Sequence, residues 1–408
     1  MKACVILLSF LLLMPASAEE GQPEITAVKA GKILTISGAP IADGIILIKD
    51  GKITDIGTGI EIPENAFVID AGQKIVMPGL VDASAVPPVR GDLNEQSEEI
   101  TPTFRISTAL DSQSKALKRM VQTGITTLYV SPGLRNVIAG LGAVIKPTGK
   151  TPEEMIIKED AALMVVMSMD SAYGNRIPRS QPPYNFYYRR PTTRMAIIWM
   201  LRKNFFDTQE YAKSNEKDDP DLEILASALD DKIPVRLNVR RAINIRTALK
   251  LAEEYDFQLI LDECTEGYKV AKEIAEKKIP VILGPFYYYP RNLGQYEGRD
   301  INWNNAGILT KAGVKVALTS GAQTQSIDLL TAAAFAVRHG MPQDEALKAV
   351  TITPAEILGV VDKVGTLEKG KDADILILSG DPLKVTTRIE QVILNGKTVY
   401  KAERGRKL

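Results

Sequence analysis

Residues 72–82 read GQKIVMPGLVD. A glycine opens the stretch, and residues 75–81 form an apolar β-type run that ends on an acid, Asp82. The chain changes character across this run. Before it, residues 25–68 are short β runs with turn punctuation. There, residues 44–49 (GIILIK) meet residues 53–56 (ITDI) across Asp50-Gly51, a strong hairpin signal. The C-terminal stretch returns to that pattern: 373–378 (ADILIL), then 391–394 (QVIL), an Asn395-Gly396 turn and 397–400 (KTVY). Two β segments, one near each end, predict one small sheet domain closing around the middle.

From residue 75 onward, β-type runs alternate with helical ones. Strands are predicted over 75–81, 125–130, 143–146, 161–169, 234–239, 258–262, 280–283 and 314–319. Most are followed by an amphipathic stretch, such as 243–255, 266–278 or 326–338. This predicts an α/β fold: a (β/α)8 TIM-like barrel over 75–359, with a β-sandwich domain from 24–74 together with 360–404. A doubly wound sheet is the alternative, since periodicity alone cannot count the strands of a closed barrel. Irregular insertions at 86–102, 173–194 and 286–305 each follow a strand, which puts them on the face where barrels do chemistry. Two are rich in Tyr, Pro and Arg, around 182–190 and 285–291. Such side chains favour contact with a partner or ligand, or simply plug the mouth.

The N-terminal segment, 1–18, reads as an export signal. Lys2 leads, residues 3–14 are apolar apart from Ser9, and Ala16-Ser17-Ala18 offers small residues for cleavage after Ala18. The run is shorter than the roughly 20 residues needed to cross a bilayer. A periplasmic or secreted protein without a stable membrane anchor is expected. Cys4 leaves with the signal, so Cys264 has no partner for an intrachain disulfide. The chain has 50 basic and 50 acidic residues, a neutrality that argues against nucleic acid as a partner. Hydrophobic residues, 45% of the total, suffice for a large core.

The stretch at 72–82 resembles the entry to barrel strand one in the amidohydrolase superfamily. Asn94-Glu95, Thr101-Pro102, residues 124–127 (GITT) and 136–140 (NVIAG) are similar to its imidazolonepropionase-like branch. Residues 353–359 (TPAEILG) and 370–374 (GKDAD) resemble its closing signature. The resemblance covers about residues 28–400. It implies a metal-dependent hydrolase of C–N bonds, with zinc held by four histidines and an aspartate.

Position by position, those ligands are replaced. The Asp-x-His-x-His of strand one reads Asp82-Ala83-Ser84-Ala85-Val86. After strand five, Asn238 or Arg240 stands at the histidine position, and after strand six Glu263 does. After strand eight, Gly321 replaces the aspartate. Lys146, which ends a strand, is a candidate for the family's bridging lysine. The only histidine in the chain is His339, far from these positions. Asp82, Asn238 and Glu263 offer oxygen alone, a set suited to hard ions rather than zinc. Metal and cofactor are therefore predicted absent. Arg240 paired with Glu263 or Asp82 is the expected replacement, in a pocket of Asp82, Arg240, Glu263 and Lys146.

Other chemistry finds little support. His339 precedes Gly340 at a helix end, where it suits the dipole and the cap. Cys264 follows Asp262-Glu263, carboxylates that would oppose a thiolate. Asp82 with Glu263 could serve as an acid–base pair, although nothing fixes their separation. Gly140-Leu141-Gly142 precedes a predicted strand rather than a helix, so it is no dinucleotide fingerprint. The function expected is thus a non-catalytic amidohydrolase-fold subunit, in a hetero-oligomer with an active paralogue or in a homo-oligomer. A hydrolase of cyclic amides or dipeptides with a rearranged site, and a periplasmic small-molecule-binding protein, are the alternatives.

Overall fold

The structure is a computed structural model that describes residues 25–403, apart from Gln96, 174–189, 215–217, 285–296, 298–299 and 322–327. The export signal with its cleavage site, the 285–291 run and all of 182–190 but Arg190 lie outside the described residues.

Two eight-stranded sheets carry the fold. The first takes its strands from both ends of the chain: β1 (Ile25–Ile33), β2 (Ile41–Lys49), β3 (Lys52–Gly57), β4 (Phe67–Asp70) and β5 (Ile75–Pro78). The second contains β6 (Leu80–Asp82), β7 (Ile125–Val130), β8 (Ile138–Ile145), β9 (Ile156–Val166), β10 (Val235–Val239), β11 (Leu259–Glu263), β12 (Val281–Leu283) and β13 (Val316–Leu318). The chain then returns to the first sheet with β14 (Ile375–Leu378), β15 (Ile389–Leu394) and β16 (Lys397–Lys401).

The first sheet runs β16-β15-β14-β5-β1-β2-β3, with β4 laid against β1. Antiparallel pairing of β14 with β5, Ile375 opposite Pro78, joins the chain ends. Val28, Ile33, Ile46, Val76, Ile375 and Ile393 bury a common core. Both hairpin signals hold in the backbone: Asp50 and Gly51 have φ of 50° and 76°, and Asn395 and Gly396 have 49° and 75°. Two successive positive φ values match the right-handed twist of the flanking strands.

The second sheet follows chain order from β6 to β13 without a reversal, which excludes the doubly wound arrangement. It is a nearly closed barrel. β9 to β13 run parallel, whereas β8 is antiparallel to both neighbours. The strand predicted at 143–146 is therefore longer and reversed, and Gly140-Leu141-Gly142 lies inside it rather than before it. Helices including Lys115–Gln122, Ala242–Tyr255 and Leu329–Arg338 surround the barrel and bury apolar faces against outward residues such as Val235, Leu237 and Val239. The helix predicted at 266–278 is instead a 3-10 turn, Gly267–Lys269, followed by Ala271–Glu276.

The strand predicted at 75–81 is two strands, and the passage between sheets falls at Gly79 rather than at residue 75. Close approach dictates the glycine: a Cβ there would stand 2.0 Å from Thr126 Oγ1 and 2.5 Å from its Cγ2. Thr126 is fully buried, so it cannot swing into solvent. Gly79→Ala is expected to cost about 1–3 kcal/mol. Urea denaturation measures it, and an unchanged midpoint would mean that Thr126 yields freely.

β13 and β6 do not pair directly. Backbone of the segment between two helices fills the lower gap: Val81 N–H donates to Val350 O at 2.9 Å and Leu318 N–H to Ala349 O at 2.8 Å. At the upper end the Asp82 carboxylate takes over. It accepts from Thr319 Oγ1 at 2.8 Å, from the Ser320 and Ser84 backbone N–H groups at 3.3 and 3.1 Å, and from the Ser320 hydroxyl. A side chain thus supplies the rungs that a strand pair would have supplied.

Candidate functional site

Alternation along β10 sends Val235, Leu237 and Val239 toward the helices and leaves Arg236, Asn238 and Arg240 on the opposite, lumen-facing side. Arg236 is 1% exposed. Its Nη2 donates to Asp262 Oδ1 at 2.7 Å and its Nη1 to Ala83 O at 2.5 Å. The guanidinium lies 4.2 Å from the Tyr129 ring centroid, a desolvated cation–π contact. Asn238 Nδ2 donates to Asp262 Oδ2 at 3.3 Å. Burial pushes the Tyr129 hydroxyl up to about 12, against the pull of Arg236. Gly142 leaves room for that ring, since a Cβ there would meet Tyr129 Oη at 2.1 Å. The lumen is therefore packed with charge already paired.

One layer higher lies Arg240, 7% exposed. Its Nη2 contacts Asp170 Oδ2 at 2.6 Å and Glu263 Oε1 at 3.1 Å, and its Nε also bonds Glu263. Nη1 stands 3.6 Å from Glu297 Oε2. Burial raises the Glu263 and Glu297 carboxyls above the ordinary range, while Arg240 pulls both down. Glu297 is held by Met169 N–H at 2.9 Å and Asn244 Nδ2 at 3.3 Å. Glu263 and Cys264 both adopt left-handed backbone, φ 65° and 45°. Cys264 N–H to Val239 O and Glu266 N–H to Arg240 O, both 2.8 Å, hold that turn. Two such residues store on the order of 1–3 kcal/mol each. The strain returns the end of β11 onto Arg240.

The predicted pocket does not assemble as one group. Arg240 and Glu263 are together, but Asp82 is engaged by Thr319 and Ser320, not by Arg240. The carboxylates of Asp82 and Glu263 thus belong to different networks. Lys146 is at the other end of the barrel because β8 is antiparallel, so the end of this strand meets the starts of its neighbours. Its Nζ bonds Asp372 at 2.8 Å, Asp374 at 3.0 Å and the Asn395 side chain, tying the barrel to the first sheet. The signature at 370–374 thus provides the anchors for a buried lysine. Ser84 is buried with its carbonyl accepting from Thr319 Oγ1 at 2.5 Å. Val86 is half-buried and carries no donor, and Gly321 has φ 98° with its N–H on Thr319.

Among the described residues no three His, Cys, Asp or Glu side chains are grouped to hold a metal. Around Arg240 the carboxylates of Asp170, Glu263 and Glu297 are each turned toward a guanidinium. The donors present do not fit zinc. Cys264 is fully buried, and burial followed by Asp262 pushes its thiol far above the usual range, so it packs rather than reacts. His339 is the C-cap of Leu329–Arg338, its ring 4.4 Å from Phe335 and 5.4 Å from Trp303.

Sequence reasoning missed Arg236, Asp262 and Tyr129 in the lumen, and Asp170 and Glu297 at the mouth. The spacing Arg236-x-Asn238-x-Arg240 in an otherwise apolar strand was the available signal for the first group. Glu297 had none, since it follows far down the chain from Glu263, in an irregular stretch.

An amidohydrolase family model matches residues 271–399. The imidazolonepropionase of Thermoplasma acidophilum is 42% identical over 367 residues, covering 82% of this chain and 82% of that protein. Amidohydrolase tasK of Hapsidospora irregularis is 23% identical over 88% of this chain, which spans only 40% of its length. An amidohydrolase from Thermotoga maritima superposes with a TM-score of 0.84 and 31% identity, over 92% of this chain and all of that one. With a nearly closed barrel, a β-rich domain from both chain ends and a relative this similar over most of its length, the chain belongs to the amidohydrolase superfamily, in its imidazolonepropionase-like branch.

Proposed function

We propose that this protein has exchanged the family's metal centre for an ion-pair cluster and acts as a non-catalytic subunit, beside either a metal-bearing paralogue or further copies of itself. The observation that carries this reading is Arg240, buried between Asp170, Glu263 and Glu297. A unit positive charge about 4 Å from a divalent ion costs on the order of 8 kcal/mol at an effective dielectric of 20, twice the monovalent figure. Asp170 and Glu263 hydrogen-bond the guanidinium and Glu297 lies within ion-pair distance of it, which cross-links the ends of β10 and β11 without metal. The packed lumen around Arg236 supports a structural role over a small-molecule-binding one. The apolar run at 3–14 and Ala16-Ser17-Ala18 support export, with work done outside the cytoplasm.

A second reading is favoured by the similarity to an imidazolonepropionase: hydrolysis of a C–N bond in a cyclic amide, through a rearranged site. Metal content of the purified protein after dialysis separates the two. The expected value is well under a tenth of an equivalent of zinc, manganese or iron per chain, with no turnover of cyclic amides or dipeptides. One equivalent or more, with hydrolysis that a chelator abolishes, would favour the second reading and sink the first.

A further inference from the structure

A cavity of about 740 Å³ lies apart from both arginine networks, where the barrel meets the end of the first sheet. The end of the helix Lys115–Gln122 and the start of Leu329–Arg338 form part of its wall. The connection from β14 to β15 and the strand β16 form the rest. Its volume is that of a small-molecule site. The lining is basic: Lys384, Arg388 and Lys401 all border the cavity, and none of them forms an ion pair among the described residues. Thr331 and Gln122 add a hydroxyl and an amide that donate to no described residue. Two acids are also on the wall. Asp328 is turned onto the helix start, accepting from Leu330 N–H at 3.0 Å, and Glu403 pairs with none of the three cations. Ile389, Val399 and Tyr400 supply an apolar part of the lining.

We propose that this cavity binds a phosphate-bearing organic anion. Donors without acceptors on one concave wall call for a ligand that brings oxygens and charge, and a phosphate dianion answers more than one cation, as a carboxylate does not. The volume far exceeds that of one phosphate group, so the rest of the molecule has room against Val399 and Tyr400. The cations are also held in place. Arg388 N–H donates to Ser379 Oγ at 2.9 Å and Ser379 N–H to Arg388 O at 3.0 Å. Thr387 N–H bonds Lys384 O at 2.9 Å, so the loop that carries Lys384 and Arg388 is braced before any ligand arrives. The wider field has the same sign. Residues 384–408 hold seven basic and two acidic side chains in a chain that is neutral overall. A soluble phosphate ester and a phospholipid headgroup both present this chemistry. Val385, 93% exposed on the same loop, would enter the acyl layer in the second case. The inference stands whether or not the metal centre is lost.

Isothermal titration of the purified chain with inorganic pyrophosphate tests it, alongside cosedimentation with phosphatidylglycerol vesicles. The expected result is one pyrophosphate per chain, with an affinity that falls as sodium chloride is added. Arg388→Gln and, separately, Lys401→Gln should each raise the dissociation constant by about tenfold. Both side chains are on solvent, so unchanged melting without ligand is expected and guards against misfolding. Lys250→Gln, at an exposed position on Ala242–Tyr255 away from the cavity, should leave the affinity as it is. Capture by vesicles that Val385→Ser abolishes assigns the site to a lipid headgroup, and pyrophosphate binding without capture assigns it to a soluble ester. A chain that binds neither overturns the proposal. So does binding that Arg388→Gln and Lys401→Gln leave intact, or that Lys250→Gln weakens equally, since the attraction would then be diffuse.

Discussion

Arg236→Met is expected to lower unfolding free energy by about 3–5 kcal/mol, the penalty for leaving a buried charge unpaired. The substitution retains most of the volume but strips the Asp262 carboxylate of its cation and Ala83 O of its donor. Neither acceptor can reach water, because Asp262 is 2% exposed and Ala83 is fully buried. Asn238 remains to Asp262 as a neutral donor at 3.3 Å, too weak to compensate. The second half of the argument is the double variant. Arg236→Met with Asp262→Leu removes both charges together, and buried pairs replaced by apolar groups are often neutral. Most of the lost stability should return. Urea denaturation of the two variants decides, and a single-variant loss under about 1 kcal/mol would mean that water reaches the lumen.

The Arg240→Leu variant should lose a comparable amount, about 3–5 kcal/mol near pH 8, and the loss should depend on pH. Without the guanidinium, Glu263 and Glu297 keep their burial and lose the charge that pulls their carboxyls down. Their folded-state pKa values then rise further above the unfolded value. A group raised in this way contributes stability that is fully present below the unfolded pKa. That contribution is lost as pH rises through the folded one. The deficit against wild type should therefore shrink between pH 8 and pH 5, by about 1.4 kcal/mol for each unit by which a pKa has climbed. Equal deficits at both pH values would show that the three carboxylates separate once the arginine is gone. The cluster would then hold no strand ends together.

The strands of the barrel are legible in the sequence because each is a short apolar run bounded by turn residues. The hairpins are legible because two positive φ values in a row require Asp-Gly or Asn-Gly. Periodicity alone reads 75–81 as one strand. It does not register that Gly79 lets the backbone pass Thr126 and enter a second sheet. The same limit hides the direction of β8. An antiparallel strand has the same alternation as a parallel one, so pattern alone puts Lys146 at the mouth, whereas it lies at the opposite end, between Asp372 and Asp374.

By itself the sequence determined the residue types available to the site: a single histidine, His339, with Arg240 and Glu263 at the ends of successive predicted strands and Gly321 after the last of them. Those are facts of chemistry that no folding can alter. Tertiary structure alone decided which charges meet. Arg240 takes Asp170 from far before it in the chain and Glu297 from far after it. Asp82, next to the expected ligand positions, turns aside to close the barrel through Thr319 and Ser320. Charge pairing acts over a few ångströms in space, and a closed sheet brings together strand ends whose distance along the chain carries no trace of it.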